Sequence, residues 1–171
     1  MQVRTGRGGR FAPLALAALL VGSAAVAADE SGAADDEGET VAEVMRVLDR
    51  YLDAINAHDI EGHVDTLHFP HFRFALSSLM TWETAADMLG MWPESTEERR
   101  EFARKSMHAD WHHSEWARRE IVNSGPDKVH VDTRIVRLRE DGSEIVSFDS
   151  LYILTLQDGH WAIKGRSSFA P

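Results

Sequence analysis

The chain has 171 residues, with 18 Lys+Arg against 28 Asp+Glu and no cysteine, a length suited to a single domain. Its net charge of −10 argues against nucleic acid or an anionic membrane surface as a partner, since both need a basic footprint. Without cysteine no disulfide can take the place of a hydrophobic core.

Met1 to Arg10 carries Arg4, Arg7 and Arg10 and no acid. An apolar run follows from Leu14 to Val26 and closes on Ala25-Val26-Ala27. A positive start, a short apolar stretch and a small-x-small end predict a secretory signal peptide over residues 1–27, cleaved near Ala27. The run is too short to span a bilayer comfortably. The expected destination is the periplasm or the cell exterior, with no membrane association after cleavage. No Cys follows the run and no adjacent Arg pair precedes it, so neither a lipid anchor nor a twin-arginine route is expected. Cleavage would remove three Arg and no acid, taking the net charge from −10 to −13. Residues 28–40 are small and acidic, without a large apolar side chain. Such a segment cannot offset its ordering entropy and is predicted to be a disordered linker. The domain is placed at residues 41–171.

Val41, Val44, Met45, Leu48, Leu52 and Ile55 recur at three- and four-residue spacing and predict an amphipathic helix with Tyr51 on the edge of its stripe. Thr40 with Glu43 forms a capping box at its start. Asn56 to Asp59 breaks the helix. Ile60 to Leu67 reads as a second helix capped by Asp59 and ended by Phe69-Pro70. Phe72-Arg73-Phe74 alternates as a short strand. Thr81 to Met91 reads as a third helix, stopped by Pro93. Ser95 with Glu98 opens a polar fourth helix that runs to about Met107.

The last third changes period. Turn signals at Ser124-Gly125-Pro126-Asp127, Asp141-Gly142 and Asp158-Gly159 divide residues 111–170 into four segments. Val129/Val131/Ile135, Ile145/Leu151/Ile153 and Trp161/Ile163 supply the apolar positions of those segments. Asp-Gly between such runs signals a hairpin. The prediction is an α+β domain, with N-terminal helices on one face of a curved antiparallel sheet, a cone-shaped, cystatin-like roll.

Two local patterns carry a family likeness. Arg50-Tyr51-Leu52-Asp53-Ala54-Ile55-Asn56-Ala57-His58-Asp59 resembles the first-helix signature of the nuclear transport factor 2-like (SnoaL-like) superfamily, and Asp158-Gly159-His160-Trp161-Ala162-Ile163 resembles its final hairpin. Leu67 to Arg73 and Arg166 to Phe169 also look like an uncharacterised bacterial branch of it. The resemblance covers residues 41–171. It implies a cone fold with a cavity between helices and sheet, shared by ketosteroid isomerases, scytalone dehydratase and many binding proteins.

Carried over from the isomerases, Tyr51 matches an oxyanion-hole tyrosine, and Asp149 falls near a carboxyl kept protonated in an apolar cavity. Asp149 shares its strand face with Leu151 and Ile153, and an acid on an apolar face must be paired or neutral. The isomerase base has no counterpart, because Phe72 to Thr81 contains no Asp or Glu. His68 and His71 flank Phe69-Pro70, and either can supply a base, since imidazole titrates near neutral pH. The candidate catalytic set is Tyr51, Asp149 and His71. The candidate pocket adds His68, Arg73, Trp111, Leu151 and Arg166. Each also has a structural reading: Tyr51 as a core residue, Asp149 bonded to a neighbouring strand or to Arg166, and the histidines as turn residues. His108 and His112 would share a helical face, but Asp110 onward reads as a strand entry and no HExxH motif is present. No metal and no other cofactor is expected.

Three roles follow. One is binding of a small, largely apolar molecule. Another is a lyase or isomerase using Tyr51, Asp149 and a His. The third, compatible with both, is homodimerisation through the outer face of the sheet.

Overall fold

The structure is a computed structural model and describes residues 30–171; the expected signal peptide lies outside the described residues. Among the described residues there are four helices: α1 (Glu30–Ala57), α2 (Ile60–Val64), α3 (Ala85–Leu89) and α4 (Thr96–Met107). Six strands accompany them: β1 (Leu67–Ala75), β2 (Ser78–Trp82), β3 (His113–Ser124), β4 (Lys128–Leu138), β5 (Glu144–Gln157) and β6 (His160–Ser168). The strands form one curved, unclosed mixed sheet in the order β2-β1-β6-β5-β4-β3, with the helices against it. Every neighbouring pair is antiparallel except β1 and β6, which run parallel.

The expected α+β class and the β3–β6 meander are present. The Asp158-Gly159 turn has φ of 52° and 79° at its two residues, the pair of positive values that a tight two-residue hairpin demands and that Asp-Gly supplies. Three element boundaries differ from expectation. Helix α1 spans Glu30–Ala57 and so includes residues 30–40, where a linker was expected. Helix α2 stops at Val64, and the chain pairs with β6 already at Thr66, whose carbonyl accepts from the Ile163 N–H at 2.9 Å. Ser78–Trp82 is a strand, where a helix from Thr81 was expected. Leu76 (φ 53°) turns the chain there so that Ala75 pairs with Ser78. Helix α3 starts only after Thr84, which forms a reciprocal capping box with Asp87.

The core lies between α1 and the concave face. Val44, Val47, Leu48 and Tyr51 are buried against Val129, Val131, Tyr152, Leu154 and Ile163. Each such aliphatic side chain contributes roughly 1.5–3 kcal/mol on burial. Tyr51 sits at the centre of the helical stripe, 4% exposed, while Val41 and Ile55 lie at its margins. On the outer face Phe72 covers Gly165 so closely that an added Cβ would lie 2.3 Å from its ring. That contact joins the parallel pair of strands through a residue without a side chain.

Candidate functional site

Between the helices and the concave sheet is a cavity of about 300 Å³. Tyr51, Ala54 and His58 face it from α1 and the turn that follows, and His63 from α2. The sheet contributes His71 and Arg73 from β1, Arg137 from β4 and Arg166 from β6. The opposite wall is apolar: Met80 and Trp82 of β2, Met88 of α3, Met91 and Trp92 in the following turn, and Phe102 of α4. That wall is braced internally. The Trp82 indole N–H donates to Met91 Sδ at 3.1 Å, and the rings of Trp92 and Phe102 meet edge-on at 5.0 Å. Arg99 ties α4 to α2 through a bidentate pair with Glu61, both bonds 3.0 Å, and donates from Nε to the Pro93 carbonyl.

Strand phase explains which polar side chains face inward. Arg73 and Arg166 are paired across β1 and β6, and Arg166 pairs onward with Tyr152. Adjacent paired residues project to the same face, which here is the concave one. Arg137 falls in phase with the buried Val129, Val131, Thr133 and Ile135. Arg166 donates from Nη1 to the Tyr152 hydroxyl at 2.9 Å and lies 5.9 and 5.7 Å from the ring centres of Tyr51 and Tyr152. Arg137 donates to the Met107 carbonyl at 3.0 Å and stacks on Phe148.

The electrostatics follow from burial and from the shortage of negative partners. No Asp or Glu among the described residues lines the cavity. Burial lowers the affinity of Arg73 and Arg137 for their protons, and the neighbouring Arg166 lowers it further. Burial opposes the charge on Arg166 as well, but the hydroxyls of Tyr152 and Tyr51 outweigh it and hold that guanidinium above its ordinary value. Burial pushes His63 down to about 3, with Arg166, His71 and Arg73 adding to the effect. His71 falls to about 4, mainly through burial, although its hydrogen bond to the Ile163 carbonyl works the other way. His71 Nδ1 donates that bond at 3.2 Å. Both imidazoles are therefore neutral near pH 7, and His71 is a weak base there.

The expected site is brought together only in part. Tyr51, His71, Arg73 and Arg166 share the cavity. Asp149 does not reach it. The face it shares with Leu151 and Ile153 is the outer one, and its side chain is 45% exposed and paired with Arg118 and Arg134. The inward set of β5 is Phe148, Ser150, Tyr152 and Leu154. Leu151 is displaced from the cavity for the same reason. His68 also faces away, with Nδ1 against Thr155 Oγ1 at 3.0 Å and Nε2 against His160 Nε2 at 3.1 Å. Trp111 is buried behind the rim, where its indole donates to Ser114 Oγ at 3.0 Å and its ring meets that of His58. Tyr51, Asp149 and His71 therefore do not converge. Sequence reasoning missed His63, Arg137 and the Met/Trp wall. Arg137 carried a legible signal, since it is a charge in phase with an apolar alternation. His63, in a five-residue helix, carried none.

This architecture, a curved mixed sheet closed over by N-terminal helices around an inner cavity, defines the NTF2-like, cystatin-like class. The chain belongs to the family described as NTF2-like protein (DUF6841), which matches residues 42–168. No curated protein matches it in sequence. Among solved structures it is similar to an NTF2-like protein with a cystatin-like fold from Novosphingobium aromaticivorans, at 12% identity and a TM-score of 0.62, covering 82% of this chain and 87% of that one. It is also similar to the association domain of Caenorhabditis elegans CaMKII, at 16% identity and 0.56, covering 79% and 98%. A ketosteroid isomerase-like protein from Erwinia carotovora atroseptica aligns at 14% identity and 0.50, covering 75% and 93%. At these identities the likeness is one of fold.

Proposed function

We propose that this chain is an exported binding protein that holds a small, largely apolar organic molecule in its cone cavity, without acid–base catalysis by Tyr51, Asp149 and a histidine. The observation that carries this reading is the cavity itself: about 300 Å³, with a wall of Trp82, Trp92, Phe102 and three methionines. Preformed, mostly apolar concavities with few polar groups are the usual form of a small-molecule site. Against catalysis stand the outward position of Asp149 and the neutral, weakly basic state of His71.

The test is native mass spectrometry of protein purified from its own host, with Ala54→Phe as the control. Ala54 lines the cavity, so the larger side chain should fill it and displace a bound small molecule. Bound mass that persists in that variant would place the ligand elsewhere and sink the reading. Export is supported by Arg4, Arg7 and Arg10 ahead of the Leu14–Val26 run. Sequencing the mature N-terminus should find Ala28; an intact Met1 would refute it.

Homodimerisation is a compatible second reading. Phe74 and Leu79 pair across β1 and β2 on the outer face and are 44% and 64% exposed. The fold neighbour named as an association domain lends support. Light scattering should give twice the monomer mass and revert to the monomer for Phe74→Glu. A monomeric wild type rejects this reading.

A further inference from the structure

The cavity's polar side is cationic, and no acidic side chain among the described residues lines it. Arg73 and Arg166 face each other across adjacent strands, and Arg137 lies on the same concave face. Like charges directly opposite in a sheet repel, and buried charge is costly unless it is paired. The hydrogen bonds these groups do make go to neutral acceptors: Arg166 to the Tyr152 hydroxyl and Arg137 to the Met107 carbonyl. Of the four buried side-chain nitrogens without a hydrogen-bond partner among the described residues, two belong to residues of this cavity, Arg73 Nε and His63 Nδ1; the others are Trp116 Nε1 and Arg118 Nε. Glu61, on α2, is engaged by Arg99. On the outer face, by contrast, Arg118 and Arg134 are matched by Asp132 and Asp149, so the missing acids are particular to the cavity. Pro171 also lines the cavity, but among the described residues no ion pair ties it to these arginines; guanidiniums that are buried or half-buried, mutually repelling and without an acidic side chain beside them are completed by a ligand that brings a carboxylate.

We propose that the ligand of this cavity is an amphipathic organic acid whose carboxylate seats on Arg73 and Arg166, beside Arg137 and His63, with its apolar body against the Trp82, Trp92 and Phe102 wall. This rests on the reading of the cavity as a small-molecule site and adds the chemical class. A guanidinium fork matches a carboxylate in two parallel, charge-assisted bonds. The orphaned Arg73 Nε is one donor ready for them. The other end of the molecule meets methionine and aromatic side chains, which adapt to varied apolar shapes.

The test titrates the full-length purified protein with two matched pairs, decanoate against decanamide and 2-naphthoate against 2-naphthamide, by calorimetry and thermal shift. Each acid should bind at least about tenfold more tightly than its amide, the size of one lost charge-assisted contact. Arg73→Met should weaken binding of the acid far more than that of the amide and so abolish that preference. Because it removes a charge with no acidic side chain beside it, it should also raise the melting temperature of the ligand-free protein, which a merely structural arginine would not do. Arg137→Met provides a second variant should Arg73→Met fail to fold: the preference for the acid should fall there too, and an undiminished preference would overturn the assignment. Equal binding of acid and amide to the wild type overturns the assignment of an acid while leaving the small-molecule reading intact. Binding of neither member of either pair, together with no co-purifying ligand, overturns both.

Discussion

Asp149 and His63 show how much one side chain's facing direction decides. Asp149 lies in a partly solvated network with Arg118 and Arg134, and pairs of that kind contribute little net stability. Asp149→Ala should therefore change stability by less than about 1 kcal/mol in urea denaturation and leave cavity binding unaltered. Loss of ligand in that variant would restore Asp149 to the site. His63 is the opposite case. Its ordinary value of 6.5 falls to about 3 in the fold, through burial and then the positive charges of Arg166, His71 and Arg73. Between those values the unfolded chain takes up a proton that the folded His63 refuses. Folding stability therefore rises with pH across this window and is lost on acidification below about 6.5. His63→Leu should flatten the acid limb by up to ~1.4 kcal/mol per pH unit, the slope of one proton, and cause no loss at pH 7, because the Nδ1 it deletes has no partner. An unchanged slope between pH 5.5 and 4 would show that His63 is solvated.

Among the elements, α1 holds the fold together, since its buried stripe supplies one whole side of the core. Leu48, fully buried at its centre, should cost about 2–5 kcal/mol when cut to Ala, measured as a shift in urea midpoint at constant slope; a change under 1 kcal/mol would mean that the helix packs loosely. The helix was legible because its apolar residues repeat with a single period. The meander was legible because Asp-Gly turns mark its ends. The inward faces of β1 and β5 were not. In β5 both alternating sets are apolar enough to be buried, Phe148/Tyr152/Leu154 and Leu151/Ile153, and alternation by itself has no sign. In β1 the hydrophobic set, Phe72 and Phe74, faces outward, while His71 and Arg73 face the cavity. The polar side of the cavity inverts the usual rule that apolar residues mark the inside, so the residues that make that side were the ones that concealed it. Tyr51 and Arg166 could be placed through family likeness, but the charge balance of the cavity emerges only when β1, β4 and β6 are brought together.

At the scale of the whole molecule, folding and binding are linked. A ligand that enters only the closed cone adds its binding free energy to stability. Saturation at about a hundred times the dissociation constant should add ~2.7 kcal/mol, read as a concentration-dependent rise in melting temperature. No rise for a compound that calorimetry shows to bind would mean that the unfolded chain binds it too. The parallel pairing of β1 with β6 sets a further condition. His71 meets its partner carbonyl 92 residues further along the chain, and Arg73 meets Arg166 only when the last strand docks. Contacts of such long sequence separation are late and slow to form. While the chain emerges from its N-terminus, helix α1 waits over half a sheet, and the cavity has no floor until its last strand arrives. Docking of β6 and closure of the cavity thus become the same event, and a molecule cut before β6 lacks the cavity's floor by topology alone.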